Sequence, residues 1–543
     1  MTPDTLYIHG NILTGAHLKP SDPSTTPARV TAIAVAHGTI TAVGGDAEIL
    51  KLKSARTKVI DLDGAFAMPG FNDAHTHMAS AGRRKLTVNL EGVTSLAEML
   101  ARIRAYAATT SPGGWLAGSG WDHTKWPSAT LPTRADLDAV TGSHPAMFTR
   151  IDGHIVIANS AALDAAGITA ATSDPPGGEI DRDPSGAPTG IVREGPAIAL
   201  LTAKIPSPSP DDRRRALTLA IADALAHGVT SVQDFSDWDD FRVLAALEHE
   251  GKLHLRFSEW LDFNQPLNVL KERRASHDSN DPLLHIGMLK AFMDGSLGSR
   301  TASLAAPYSD DPTNSGIPRY DQTRLNQMSA ERAAAGFQLG FHAIGDQANH
   351  MALDAFSAAQ PTTDPSNLRL RIEHAQVLLP ADFDCFRDLH VIASMQPSHL
   401  LTDMNWAAAR LGPDRAPYSY AWRSMLDHHI MLAIGTDYPV ESINPMRGLY
   451  AAITRQNESG TAIYQPQEKI TLSEAIYAYT QASAFAEFRE HSKGRLEPGF
   501  LADIVVLDRD IAAPATTPQE LLHTRVLRTI VNGSTVYQAP KTP

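Results

Sequence analysis

His75 and His77 stand two residues apart in Phe71-Asn72-Asp73-Ala74-His75-Thr76-His77, directly after the apolar Met68-Pro69-Gly70. On an extended strand, residues two apart point to the same face, so both imidazoles can reach one ion. The pair alone is weak, because a chain with 22 histidines will contain such pairs by chance. Recurrence at the ends of other apolar segments strengthens it. His342 closes Gln338-Leu339-Gly340-Phe341, His374 closes Arg369-Leu370-Arg371-Ile372-Glu373, and Asp437 follows Ala433-Ile434-Gly435-Thr436. Imidazoles and a carboxylate suit Zn²⁺ or another divalent first-row metal. Lys290 lies in the otherwise apolar Ile286-Gly287-Met288-Leu289-Lys290-Ala291-Phe292. A buried ammonium is costly unless paired or neutralised. Two readings follow: an ion pair with Asp294 or Glu373, or a neutral amine that takes up CO₂ and bridges two metals as a carbamate.

The elements that must position these residues are strands alternating with helices. Apolar segments at 67–71, 146–150, 230–234, 286–292, 338–342, 369–374, 391–396 and 431–435 read as strands. Between them lie helical patterns, such as Leu96, Met99, Leu100 and Ile103, or Leu217, Ile221 and Leu225 ahead of a Gly228 stop. Eight strands in such alternation predict an α/β fold, a (β/α)₈ TIM-like barrel, whose C-terminal strand ends converge on one mouth. That convergence would gather the four histidines, Lys290 and Asp437. The long first interval and the Pro/Gly-rich stretch 173–190 exceed ordinary loops and predict an insertion over the mouth, roughly 85–228.

Both ends of the chain read differently. Short β-branched runs around Gly10, Gly38 and Asn532-Gly533 are hairpin signals. The expectation is a small composite β-sandwich from 1–64 and 486–543 beside a barrel over 65–485. At 543 residues, more than one structural unit is expected. A net charge of -13 argues against a nucleic-acid partner. No apolar run is long enough to span a membrane, and no signal peptide is visible at the N-terminus. Cys385 is the only cysteine, so a reducing, cytoplasmic location is the expectation, with a packing role for its thiol.

Together these segments resemble the amidohydrolase superfamily, and within it the YtcJ-like branch that includes N-substituted formamide deformylases. The resemblance rests on Pro69 to His77, Lys290 with Asp294-Gly295-Ser296-Leu297-Gly298-Ser299-Arg300-Thr301-Ala302, Phe341 to Asp346, Glu373-His374-Ala375, Gly435-Thr436-Asp437, and Gly494 to Asp503. It covers essentially the whole chain. It implies a barrel flanked by a β-sandwich, with His75 and His77 on one metal and His342 and His374 on another. Carboxylated Lys290 would bridge two divalent ions, with zinc the expected metal and other first-row metals the alternative, and Asp437 would ligate the first metal and handle the proton of the attacking water. Homodimers are a common expectation for the superfamily.

The chemistry expected of such ligands is hydrolysis of an amide-type C–N bond, other than a peptide bond, in a small molecule such as an N-formyl or N-acyl compound. The metal acidifies water to a hydroxide near neutral pH, and a general base manages its proton. The alternatives are a deaminase, an ester, lactone or carbamate hydrolase of the same superfamily, and a non-catalytic metal-binding scaffold. Four further residues are candidates for substrate contact. His154 follows the 146–150 segment and could donate to a carbonyl, or be structural. Arg300 could hold an anionic group, or form a loop salt bridge. Trp121 and Asp122, with Trp126, could line the pocket, or pack the insertion. His428-His429 precede a strand start, the face opposite the chemistry, and read as structural.

Overall fold

A computed structural model of the chain describes residues 2–18, 27–151, 153–360 and 368–540. It divides into two compact units, one of Met1–Met78 with Ala220–Pro543, the other of Ala79–Leu219.

The larger unit contains an eight-stranded sheet: β1 (Phe71–Thr76), β2 (Val229–Phe235), β3 (Arg256–Asp262), β4 (Leu284–Phe292), β5 (Leu339–Ala343), β6 (Arg371–His374), β7 (Ile392–Met395) and β8 (Leu432–Ile434), hydrogen-bonded in that order. Every neighbouring pair is parallel. The strands are buried almost throughout, which a parallel sheet requires when both faces are covered. The sheet curls until its last strand meets its first. Asp437 N–H donates to His75 O at 2.8 Å, His77 N–H donates to Tyr438 O at 2.7 Å, and Thr76 pairs in parallel with Tyr438. Gly435 makes this closure possible. A Cβ there would stand 2.5 Å from His75 N and 2.6 Å from Asp73 Oδ1. The architecture is a (β/α)₈ barrel.

Two of the eight strands differ from the sequence expectation. The segment 67–71 is split at Gly70: Phe66–Pro69 joins a different sheet, and β1 begins at Phe71. Ala146–Arg150 is a strand, but it lies in the sheet of the smaller unit. The barrel's third strand is instead Arg256–Asp262. Its sequence, Arg-Phe-Ser-Glu-Trp-Leu-Asp, carries three charged residues and so lacks an apolar signature. Two of those side chains are buried in the fold, each with a hydrogen-bond partner. Arg256 donates to Asp503 Oδ2 at 2.6 Å and Oδ1 at 2.8 Å, and Glu259 accepts from Ser236 N–H at 3.0 Å.

The other strands of this unit form two sheets. One orders Thr39–Gly44, Ala32–Ala36, Thr5–Ile8 and Lys58–Asp61. The second orders Ser534–Gln538, Val526–Val531, Ile504–Leu507, Phe66–Pro69, Asn11–Leu13 and Arg29–Val30, so strands from both chain ends share it. Tyr7, Ile33 and Val35 of the first sheet and Ile12, Ile504, Val506 and Ile530 of the second form one buried cluster. That is the core of a two-layer sandwich.

The smaller unit, Ala79–Leu219, is a six-stranded sheet with helices. Its order is Glu179–Arg182, Pro188–Arg193, Ile155–Ala158, Ala146–Arg150, Leu116–Trp121 and Val88–Asn89. Successive residues on a strand face opposite sides. Accordingly Phe148, Ile157 and Ile191 enter one core with Met99 and Ile103 of helix Leu96–Ala107, while Met147, Val156 and Val192 enter another with Leu163 and Leu201. Among the described residues, no helix is long and apolar enough to cross a membrane.

The Arg256–Asp503 pair joins the N-terminal end of β3 to the sandwich, and both side chains are almost fully buried. Arg256→Leu would strand the carboxylate, and removing one partner of a buried pair costs about 3–5 kcal/mol. Denaturant unfolding of the variant should register a loss of that size; a loss within about 0.5 kcal/mol, as for an ordinary surface change, would contradict this role.

Candidate metal centre

The strand ends bring six side chains to one place. His75 lies in β1 and His77 one residue past its end; Lys290 lies in β4, His342 in β5, and His374 closes β6. Asp437 follows β8. Two of these residues, His374 and Asp437, have left-handed backbones, with φ of 78° and 57°. Such conformations are uncommon for non-glycine residues and recur at functional sites, where the surrounding structure holds them.

The six groups are mutually close. Asp437 Oδ1 stands 3.2 Å from His77 Nε2 and 3.6 Å from His75 Nε2. Lys290 Nζ is 3.2 Å from His75 Nε2. Ring centroids are 5.0 Å apart for His75 and His374 and 4.5 Å for His342 and His374. His75, His77 and Asp437 offer ligand atoms within 4.8 Å of one another, and so do His374, His399 and Asp437. Asp437 is shared by both sets.

Each histidine has one ring nitrogen turned to an acceptor outside the cluster. His75 Nδ1 is 2.9 Å from Glu373 Oε2, although poorly aligned. His77 Nδ1 meets Phe235 O at 3.0 Å, His374 Nδ1 meets Gln396 Oε1 at 2.7 Å, and His342 Nε2 meets Gly295 O at 2.9 Å. An N–H donated to such an acceptor fixes the tautomer and leaves the other nitrogen as a lone pair. The remaining nitrogens are Nε2 of His75, His77 and His374 and Nδ1 of His342. Asp437 Oδ1 and His399 Nε2 are buried and make no hydrogen bond. This donor set fits a divalent metal.

The charge states of His75 and His374 agree. Burial, with Lys290 beside it, pulls the His75 imidazole down to about 3, and burial likewise holds His374 well below the usual range. Both rings are therefore neutral, as ligands must be. Burial also works against the charge of His77, yet the Asp437 carboxylate outweighs it and raises the ring. Asp437 itself is held well below the ordinary carboxylate range: the surrounding histidines overcome its burial. Burial lowers the Lys290 amine to about 8, with Glu373 and Asp437 opposing.

Lys290 forms no ion pair with either carboxylate named for it. Asp294 accepts from the backbone N–H groups of Ser303, Ile344 and Gly345 at 2.9, 3.1 and 2.8 Å. Glu373 Oε1 accepts from Arg371 Nε at 2.9 Å, and Oε2 faces His75. Arg371 is itself wholly buried. It donates to Ala74 O at 2.8 Å and Ser394 Oγ at 3.1 Å, and it also binds Gln233 Oε1, linking β6 to β1, β2 and β7.

Sequence reasoning did not single out His399, Gln396, Asp73 or Arg371. His399 follows the segment 391–396, so the strand-end rule that found His342 and His374 could have found it. Its Nε2 stands 3.6 Å from Asp437 Oδ2, and its ring stacks on His374 at 5.9 Å. Asp73 accepts from Thr436 N–H at 2.9 Å, Thr436 Oγ1 at 2.6 Å and His75 N–H at 3.1 Å. It clamps the β1–β8 seam, and burial pushes its carboxyl up to about 7.

The four residues named as substrate contacts have other partners. Trp121 is fully buried in a core of the smaller unit, and its indole N–H donates to Phe148 O at 2.9 Å. Packing accounts for it, as for Trp126 beside it. Asp122 accepts from Thr124 and from Arg150 at 2.9 Å. His154 is exposed and 3.0 Å from Glu194. Arg300 forms a two-pronged pair with Asp310 at 3.1 and 2.8 Å, the ordinary loop salt bridge. His428 stacks on Phe383 at 5.0 Å at the N-terminal side of β8. Cys385 is a half-buried thiol in helix Asp382–Asp388.

Fold and site define a class: (β/α)₈ proteins with a cluster of histidines, a lysine and an aspartate at the strand ends. Comparison with known proteins makes this specific. The family model described as the amidohydrolase family matches residues 58–537, and the chain belongs to that family. It is thereby a member of the metal-dependent hydrolases. The chain is 33% identical to Protein LONG AFTER FAR-RED 3 of Arabidopsis thaliana, over 98% of this chain and 91% of that one. It is 32% identical to the YtcJ protein of Bacillus subtilis (strain 168), over 94% and 96%. It is 28% identical to N-substituted formamide deformylase of Arthrobacter pascens, over 93% and 95%. Among solved structures, an uncharacterized metal-dependent hydrolase from Pyrococcus furiosus has a TM-score of 0.78 and 30% identity, covering 93% of this chain and 99% of that one.

Thr436→Val would leave Asp73 Oδ2 without its only donor in a buried seam. An unsatisfied buried acceptor costs about 1–3 kcal/mol. Chemical unfolding should detect that loss, and unchanged stability would mean the seam does not depend on the clamp.

Proposed function

We propose that this protein hydrolyses an amide-type C–N bond, other than a peptide bond, in a small molecule such as an N-formyl or N-acyl compound. The observation that carries the reading is the arrangement of the four histidines, each with one nitrogen turned to an outer acceptor and the other turned away from it. Family membership and the name of the Arthrobacter relative, N-substituted formamide deformylase, support the bond type.

His75, His77 and Asp437 would hold one divalent ion and His342 and His374 a second, with zinc the first candidate. When bound, such ions acidify water to a nucleophile at neutral pH and polarise the substrate carbonyl. Lys290 would join them as a carbamate: its neutral amine adds to CO₂ and loses a proton, leaving an anion. That anion replaces a buried ammonium that has no carboxylate partner, which removes a costly arrangement.

The chain's own groups account for the proton movements. Asp437 is ionised, so it can accept a proton from the attacking water and return it to the leaving nitrogen. The bond to the carbonyl carbon forms from water oxygen, the C–N bond breaks, and the amine leaves protonated. His399 Nε2, 3.6 Å from Asp437 Oδ2, lies beside that carboxylate. Glu373 and Gln396 keep His75 and His374 in position.

The test is a panel of N-formyl, N-acetyl and N-acyl compounds with zinc-replete enzyme. Turnover of some amides is expected. Asp437→Asn should lower kcat by about 10²–10⁴, the range of general acid–base catalysis. Near wild-type turnover in that variant would remove the assigned role, and activity confined to esters would overturn the amide reading.

A further inference from the structure

At the opposite end of the barrel from the strand-end centre, three potential ligands converge. Glu248 lies in the last turn of helix Trp238–His249, which follows β2. His277 comes just after helix Leu267–Ala275, which follows β3, and Asp281 comes shortly before β4 opens at Leu284. All three therefore sit where helices hand the chain back to strands. At about 3.3 Å per residue, roughly 20 Å of strand separates Leu284 from Lys290, so the two clusters cannot share an ion.

One ligand atom from each of the three residues lies within 4.8 Å of the other two. His277 Nε2 is 3.2 Å from Glu248 Oε2, and these side chains are only 16% and 18% exposed. Two donors on a tetrahedral zinc, each about 2.0–2.2 Å from it, stand about 3.3–3.6 Å apart, so this spacing admits one ion. The contact is too poorly aligned to be a hydrogen bond: His277 Nε2 and Glu248 Oε1 are buried atoms without a hydrogen-bond partner. Asp281 Oδ1 accepts from Leu283 N–H at 2.7 Å and Leu284 N–H at 3.2 Å, which holds the carboxylate in place and leaves Oδ2.

The surroundings fix the other groups as well. Phe241, on the helix that carries Glu248, meets the His277 ring edge-on at 5.6 Å. Arg489 donates to Ser279 O at 2.6 Å and so pins the loop between His277 and Asp281. Among the described residues, neither Glu248 nor Asp281 forms an ion pair with a lysine or arginine. Burial and the neighbouring Asp281 push the Glu248 carboxyl up to about 7. A proton on the imidazole would offset one of two adjoining carboxylates, whereas a divalent ion offsets both and takes the imidazole as a neutral ligand.

We propose that Glu248, His277 and Asp281 form a separate site for one divalent first-row cation, which clasps the helix after β2 to the entry of β4. Imidazole and carboxylate ligands suit zinc and its neighbours, and water would complete the coordination. The site uses none of the strand-end residues and does not depend on the hydrolase reading.

Zinc is the probe. Full-length protein, loaded and then dialysed, should hold about one zinc per chain more than a folded Glu248→Gln/His277→Gln variant, whereas His75→Ala/His77→Ala should keep this ion. Zinc-soaked crystals of the wild-type protein locate the ion without any substitution. Anomalous scattering at the zinc edge should place a peak about 2.0–2.2 Å from His277 Nε2. Equal zinc content in the folded Glu248→Gln/His277→Gln variant, or a map without a peak at His277, would overturn the proposal. Should that variant fail to fold, the map alone decides.

Discussion

A buried imidazole can offer a lone pair to an ion only if its other nitrogen has somewhere to place a proton. That constraint organises this barrel. Four histidines from β1, β5 and β6 each meet an acceptor on their outer side: Glu373, the carbonyls of Phe235 and Gly295, and Gln396. The acceptors come from β2, β6 and the segments after β4 and β7, so the arrangement exists only when these strands are in register. Slipping one strand by a residue would turn its side chain to the opposite face of the sheet.

The same region contains a concentration of charge that an apolar core could not tolerate without specific partners. Arg371 lies at its base, bound to Glu373, and Glu373 faces His75. Against its burial, the Arg371 guanidinium and the His75 contact lower the Glu373 carboxyl to about 2. It therefore remains an anion on which His75 can rest. Lys290 differs, because its nearest polar neighbour is a histidine nitrogen and its ammonium has no paired carboxylate. Among the described residues of the centre it is the group whose charge the protein leaves unbalanced. A carbamate there would reverse that sign.

Much of this was legible in the sequence, because strand ends in a barrel converge and so placed His75, His77, His342, His374 and Asp437 together before any coordinates. The strands misassigned were those where composition and location part ways. Ala146–Arg150 is apolar enough for a barrel strand, yet it belongs to the smaller unit. Arg256–Asp262 looks too charged, yet partners distant in the chain, such as Asp503, make its charges acceptable inside. Trp121 illustrates a related limit: an aromatic in an insertion can line a pocket or fill a core, and only packing distinguishes them. Partners such as Gln396 and Asp73 were hidden because hydrogen bonds between strands leave no spacing signature. His399 was within reach, since it too follows a strand end.

The cluster's identity as a metal centre is tested most directly by metal content. Full-length protein loaded with zinc and dialysed exhaustively should retain at least one zinc per chain, with X-ray absorption reporting nitrogen and oxygen ligands at about 2.0–2.2 Å. A folded His75→Ala/His77→Ala variant should retain less. Protein that takes up no zinc, or a variant that holds as much as the parent, would contradict the account.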